Sequence, residues 1–254
     1  MSDAGELQSV RRFSGLADVY DRYRPRYPAI AIATVLEGLP VRPAAVDVGA
    51  GTGISTRALA EAGARVIAIE PNDDMRAFAV ASGLDARAGT ATATGLRDGC
   101  ADLVASFQAF HWFANADALR EFRRLLRPGG RVALVWNERN KHDPFSNDFR
   151  ELEKRFGEAA MLAGINFTDD KLEPLLRDAG FGPVTTHRFP HHQTIDRDEL
   201  IGRVRSTSYA PRSGPLLDEM IAALEDLHAR YTSAEGTVEL RYQTEVILGY
   251  APPA

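Results

Sequence analysis

Residues 44–55, AAVDVGAGTGIS, constrain the fold more than any other stretch of the chain. A short β-favouring apolar run ends at Asp47 and Val48, and glycines follow at alternate positions, Gly49, Gly51 and Gly53, before a helical pattern starts at about Ile54. This order predicts a strand, a tight turn and a helix. Glycine tolerates positive φ and lacks the Cβ that would hold a backbone away from a ligand. The first N–H groups of the helix have no partner within it and suit an anion. The run RVIAIE at 65–70 reads as a second buried strand ending in an acid, Glu70, 17 residues after Gly53. An acid at that position is placed to accept from both hydroxyls of a ribose, so loop and acid together predict a nucleoside ligand.

Two cofactor classes use this arrangement. A dinucleotide site wants GxGxxG, whose third glycine lets the helix pack on the sheet. Here the third glycine comes one residue early, and Ile54 stands where that pattern has Gly or Ala. With Asp47 ahead of it, the spacing resembles the D-x-G-x-G-x-G signature of class I S-adenosylmethionine (SAM) dependent methyltransferases. Two later stretches carry the same resemblance, QAFHWF at 108–113 and LLRPGG at 125–130 followed by the strand RVALVW. The first of these is similar to a subgroup that includes trans-aconitate methyltransferase-like enzymes.

The whole chain sets wider limits. Its 254 residues suffice for one large α/β domain with a cap. A formal charge of −5, with no block of Lys and Arg, argues against duplex nucleic acid as the main partner. A single cysteine, Cys100, precludes an internal disulfide and fits a reducing compartment. The first residues show no apolar signal-peptide core, and no apolar run is long enough for a membrane span. A cytoplasmic protein with no membrane partner, a monomer or a homodimer, is the expectation. His187, His191 and His192 lie on a predicted strand where neighbouring side chains face opposite ways, so no metal site is expected there.

In chain order, residues 1–10 read as a tail, and the aromatic and arginine-rich segment at 11–28 reads as a surface arm. The family resemblance implies that this arm, which leads into a helix at 28–39, folds over the SAM pocket, and that Tyr20 and Arg24 meet the methionine carboxylate. A charge-assisted bond suits that pairing. By the same resemblance the glycine loop, Gly49, Ala50, Gly51 and Gly53 with Asp47, takes the methionine half of SAM, and Glu70 takes the ribose. Pro71, Asn72 and Met75 begin the adenine pocket, although Met75 reads equally as a core residue. Family members usually place an acid after the glycine at the end of the third strand. Here Thr90 stands in its place, leaving its hydroxyl and the Ala91 backbone for the adenine edge.

The fourth strand, DLVASF at 102–107, runs directly into QAFHWF. Ligands of doubly wound sheets lie outside the carboxyl ends of the strands, near the switch in strand order. Phe107, Gln108, His111 and Trp112 are therefore expected at the boundary between donor and acceptor. His111 is either a general base or a histidine that orders the loop. Beyond the fifth strand at 131–136, helices are expected at about 145–163 and 169–179; the family resemblance implies that this insertion makes a substrate cover, with Trp136, Asn137 and Arg139 at its entrance. Arg139 suits a substrate carboxylate or an ordinary surface ion pair. The STSYAP turn resembles a substrate-facing turn of related enzymes, which implies that Ser206 and Tyr209 face the substrate, although Ser and Thr before a proline also suit an ordinary helix end. Strands at 184–189 and 237–250, with helices at 196–206 and 216–231, complete the chain.

The expected fold is α/β: one Rossmann-like, doubly wound, seven-stranded and mostly parallel sheet with a helical cap. Within one methyltransferase domain over 1–254, the divisions are an arm and first helix at 1–40, a SAM-binding core at 44–136, a cap insertion at 137–183 and sheet completion at 184–254. The resemblance implies methyl transfer from SAM, giving S-adenosylhomocysteine (SAH), to an O, N or C atom of a small molecule such as a secondary metabolite or a carboxylic acid. An RNA methyltransferase, an NAD-dependent dehydrogenase and a non-catalytic SAM-binding module remain the alternatives.

Overall fold

The computed structural model describes residues 12–156 and 169–253. The expected tail at 1–10 and the far end of the helix expected at 145–163 lie outside the described residues. The arm forms α1 (Ala17–Tyr23) and leads to α2 (Ala29–Leu36). The core then runs β1 (Ala44–Val48), α3 (Ile54–Glu61), β2 (Arg65–Ile69), α4 (Asp73–Ala81), β3 (Ala86–Arg87) and β4 (Ala101–Phe107). After a 3-10 turn at Phe110–Trp112 come α5 (Ala116–Leu125), β5 (Leu126–Arg139), α6 (Pro144–Phe156) and α7 (Asp169–Asp178). The chain ends with β6 (Val184–Ile195), α8 (Arg197–Arg205), α9 (Pro215–Tyr231) and β7 (Val238–Tyr250).

The strands form one seven-stranded sheet in the order β3-β2-β1-β4-β5-β7-β6. Only β7 runs antiparallel to its neighbours. Strand order reverses between β1 and β4, which puts the ligand-binding crevice outside the carboxyl ends of those two strands.

Both faces of the central strands are covered, which is why β4 is buried along its whole length, Asp102 and Ser106 included. Val46, Val104, Val132 and Leu134 pack with Phe122 of α5 and with Leu172 and Leu176 of α7 on one face. Ala45, Leu103, Ala133 and Val135 alternate with them and pack with Ile32 and Val35 of α2 and Leu59 of α3 on the other. Phe122 is fully buried, so truncating it to Ala costs about 3–5 kcal/mol.

Two strands are longer than their apolar patterns. β5 begins at Leu126, before the RPGG segment, whose residues bulge out where the register with β4 shifts between Ala101 and Leu103. β6 continues through Pro190 to Ile195 because it is an edge strand, where a missing N–H breaks no second ladder. A third apolar cluster forms the cap. Phe145, Phe149 and Phe156 of α6 pack with Leu200 and Val204 of α8, Met220 and Leu224 of α9, and Leu240 and Tyr242 of β7. Of the two helices expected to form the cover, α6 therefore does so, while α7 packs on the sheet and α8 and α9 take its place.

Candidate active site

The glycine loop turns through three left-handed residues, Gly49, Gly51 and Gly53, with φ of 73°, 57° and 86°. A Cβ on Gly49 would lie 2.6 Å from the Ala109 Cβ, whereas one on Gly51 would meet nothing within 4 Å. The first glycine thus lets the loop pack against the segment after β4, and the second leaves open space toward a ligand. Below the loop, Asp47 is fully buried, and its Oδ2 accepts from the hydroxyls of Ser55 at 2.6 Å and Thr56 at 2.7 Å. These bonds fasten the end of β1 to the start of α3. Burial outweighs them and pushes the Asp47 carboxyl up to about 6.

Glu70 closes the loop from the end of β2. Its Oε2 accepts from the Gly51 N–H and its Oε1 from the Asn72 N–H, each at 2.8 Å. One backbone bond per oxygen leaves each with a further lone pair. Burial raises the Glu70 pKa, partly offset by these two bonds. Asn72 caps α4 by accepting from the Met75 N–H at 2.9 Å, and its Nδ2 donates to the Ser14 hydroxyl of the arm. The arm is anchored further by the Asp21–Arg57 ion pair and by the Gly15 N–H, which donates to Asp74.

A cavity of about 530 Å³ opens from this loop. Its end at the glycine loop is lined by Gly49, Gly51, Glu70, Pro71, Asn72, Met75, Gly89 and Ala91. Phe13, Tyr20 and Arg24 of the arm also line it, as do Phe107, Gln108, His111 and Trp112 of the segment after β4. The far wall includes Asn137, Arg139, Arg203, Ser208, Tyr209 and Tyr242, with Glu138, Lys141, Arg150 and Lys154. Phe13 meets Tyr20 and Trp112 edge-to-face, with ring centroids 5.8 and 6.1 Å apart, and so joins the arm to the β4 segment.

Gln108 holds φ of 54°, a left-handed backbone that a non-glycine residue adopts at a cost of about 1–3 kcal/mol. The turn is held by its N–H, which donates to the Val135 carbonyl, and by its Nε2, which donates to the Asn137 carbonyl. This turn carries the chain from β4 into the His111-Trp112 pair, whose rings lie 4.8 Å apart. The His111 Nδ1 is buried and has no hydrogen-bond partner among the described residues. Burial, and then the nearby charge of Arg24, pull its pKa down to about 4, so the imidazole is neutral at physiological pH.

Arg24 donates from Nη2 to the Ser206 carbonyl at 3.1 Å and lies 4.8 Å over the Tyr20 ring, while its Nε is buried without a partner. Burial, together with the charge of Arg203, lowers its pKa. Arg139 pairs with the buried Glu153 and stacks over Phe149 at 4.6 Å. The other Glu153 oxygen accepts from the Tyr209 hydroxyl at 2.9 Å, and burial pushes the Tyr209 phenol up to about 12.

Six residues expected at the site stand elsewhere. Trp136 lies within the core on the side of Phe122, because successive β5 residues face opposite ways and its neighbour Asn137 takes the cavity side. Ser206 is fully buried and donates its hydroxyl to the Arg203 carbonyl, so Ser208 and Tyr209 of that turn reach the cavity instead. Thr90 pairs with Ala93 in a bridge and has its hydroxyl beside Thr92, leaving the cavity to Gly89 and Ala91. Asp47 supports the loop from beneath, and a Cβ on Gly53 would point at Leu84 on the far side. Ala50 borders a small recess of about 30 Å³ beside Tyr20 and Gln108. Phe13, Gly89, Arg203, Ser208 and Tyr242 were not singled out in the sequence. Gly89, the glycine ahead of Thr90, Phe13 in the arm and Ser208 in the STSYAP turn lay in stretches that carried a local signal, whereas Arg203 and Tyr242 reach the cavity through tertiary packing alone.

Comparison with known proteins gives the same reading of the core. Residues 46–134 match the sequence profile of a methyltransferase domain. An uncharacterized methyltransferase of Mycobacterium tuberculosis, Rv3342, is 38% identical over 199 residues, covering 78% of this chain and 76% of that protein. An uncharacterized methyltransferase-like protein of Schizosaccharomyces pombe is 29% identical over 246 residues, covering 92% of this chain and 93% of its own. Phosphoethanolamine N-methyltransferase 2 of Haemonchus contortus, solved with phosphomonomethylethanolamine and SAH, shares the fold with a TM-score of 0.54. Its identity is 15%, over 88% of this chain and 52% of that one. With a relative at this identity over three quarters of both chains, and the loop, acid and cavity gathered at the sheet's switch point, the chain belongs to the class I SAM-dependent methyltransferases.

Proposed function

We propose that this chain transfers the methyl group of SAM to an O, N or C atom of a small-molecule acceptor. One observation carries the reading. The cavity runs unbroken from Glu70 and the glycine loop, past Phe107, Gln108, His111 and Trp112, to the polar wall of Arg203, Tyr209 and Tyr242. A module that only held the donor would have no use for that second, hydrogen-bonding compartment.

The residues of the first compartment suit the donor. The remaining lone pairs of Glu70 fit the ribose hydroxyls, and Gly51 leaves room for the chain that joins ribose to methionine. Tyr20 and the unpartnered Nε of Arg24 fit a carboxylate. Ile69 and Met75 offer an apolar wall to a purine, beside the backbone of Gly89 and Ala91.

Bound there, SAM supplies an electrophilic methyl carbon that needs no further activation. The protein's part is then alignment and the exclusion of water. Phe13 and Trp112 cover the boundary between the compartments, and aromatic faces favour a sulfonium charge there. His111, neutral and with Nδ1 unpaired, can take a proton from an acceptor O–H or N–H. A pKa of about 4 makes it a weak base, matched to an acceptor that needs little help in losing its proton.

Calorimetry with SAM, SAH and NAD tests the donor assignment. Micromolar binding of SAM and SAH with none of NAD is expected; binding of NAD alone overturns it. Acceptors are then screened by mass gain of one methyl group.

A further inference from the structure

The far compartment contains more positive charge than its own carboxylates neutralise. At its mouth, Glu138 is offset by Lys141 and Arg150, and Lys154 pairs with Glu151. Deeper in, Glu153 is shared by Arg139 and the Tyr209 hydroxyl. Arg203 makes no ion pair of its own among the described residues, although Glu153 and the Tyr242 phenol lie close enough to favour its charge. It is 8% exposed, it lines the cavity, and its Nε and Nη1 have no hydrogen-bond partner among the described residues. The Tyr242 hydroxyl lines the same wall, buried beside the Arg203 guanidinium but with no hydrogen bond of full geometry.

Burying an unpaired cation and leaving its donors unmet costs several kcal/mol, so such a group persists where something else completes it. The donor does not complete it. SAM carries a sulfonium and an ammonium against one carboxylate, so its binding adds positive charge, and on the reading above Arg24 serves that carboxylate.

Resting on that methyl-transfer reading, we infer that the acceptor carries a carboxylate, held by Arg203 and the Tyr242 hydroxyl in the compartment beyond His111. One negative charge balances Arg203, and the two oxygens of a carboxylate satisfy the guanidinium and the phenol together. Arg139 stands beside them already paired with Glu153, whose other oxygen holds the Tyr209 hydroxyl, so its charge is matched even though its Nη1 is unpaired, and the charge left for an acceptor is that of Arg203.

The test uses the full chain saturated with SAH, with benzoate, octanoate and glutarate as probes and the matching neutral amides as controls. At least one carboxylate is expected to bind by calorimetry and raise the melting temperature, while its amide does neither. Arg203→Met should weaken that carboxylate about tenfold or more while SAH affinity stays at the wild-type level, and Arg203→Lys should recover part of the loss. Equal binding of acid and amide, absence of any carboxylate binding, or carboxylate binding untouched by Arg203→Met overturns the inference. Tighter binding of phenyl phosphate than of benzoate overturns the carboxylate assignment. Failure of SAH itself to bind the wild type is a different result, since it removes the methyl-transfer reading on which the inference rests. If Arg203→Met does not fold, the acid-against-amide comparison on the wild type still decides.

Discussion

Glu70→Gln tests the donor site more sharply than Glu70→Ala. Both carboxylate oxygens already accept a backbone N–H, from Gly51 and from Asn72. An amide has one acceptor oxygen, so whichever way the glutamine is turned, its NH₂ faces one of those N–H groups. One tie between the loop and the end of β2 is lost, and donor opposes donor. Hydrogen bonds to a charged group contribute about 1.5–3 kcal/mol each, and the ribose hydroxyls lose part of theirs as well. Removing a buried charge whose pKa is already raised returns some of that loss. The balance is about 3 kcal/mol, or a SAM dissociation constant raised about 150-fold. Glu70→Ala is expected to weaken SAM to a similar degree, because it deletes both ribose bonds but leaves the two N–H groups open to water. Calorimetry of SAM and SAH on the two variants, with circular dichroism to verify folding, measures this. A folded Glu70→Gln protein binding SAM within about threefold of wild type would refute both the ribose assignment and the claim that Glu70 orders the loop.

The two first loop glycines should separate stability from binding: Gly49→Ala meets Ala109 and is expected to lower the melting temperature, whereas Gly51→Ala costs only about 1–2 kcal/mol of left-handed strain and mainly abolishes SAM binding. Thermal melts and calorimetry on the pair decide, and the opposite pattern would reverse the assignment. Asp47 contributes a pH dependence of definite sign, because its folded pKa of about 6 stands above the ordinary 3.8. The folded state holds the extra proton, so stability falls by up to about 3 kcal/mol as pH rises from about 4 to about 6.5. Asp47→Asn should flatten that limb in denaturant titrations, and an unchanged slope would count against it. His111 should show no titration of its ring carbon shifts between about pH 5.5 and 8 in the free protein, and a midpoint near 6.5 would contradict the buried, uncharged imidazole.

The core was legible in the sequence because its constraints are local. Three glycines at alternate positions, an acid at the end of the next strand and a helix between them leave little choice of arrangement, and Gly49, Gly51 and Glu70 indeed come together on one cavity wall. The limits appear where both faces of the sheet are covered. On such a sheet neither face is polar, so the pattern does not say which way Trp136 points, and it points into the core. Ser206 misled for a different reason. Small hydroxyl residues mark turns whether they face a ligand or bond back to the helix they end, and Ser206 does the latter. Arg203 had no local signal at all, since one arginine in the run GRVRS resembles the next until α8 is set against β7 and the arm.

That setting also explains why the arm and the cap belong to one functional unit. α1 approaches α8 so closely that a Cβ on Gly202 would lie 2.5 Å from the Tyr23 ring. One turn on, Arg24 bonds the Ser206 carbonyl at the end of α8, the helix that carries Arg203. The residue suited to the methionine carboxylate is thus attached to the element that carries the proposed acceptor cation. Movement of the arm toward or away from the glycine loop must strain this bond or carry the end of α8 with it. The arm and the end of α8 are therefore held together by one hydrogen bond and by a close approach at a glycine that only the tertiary structure makes visible.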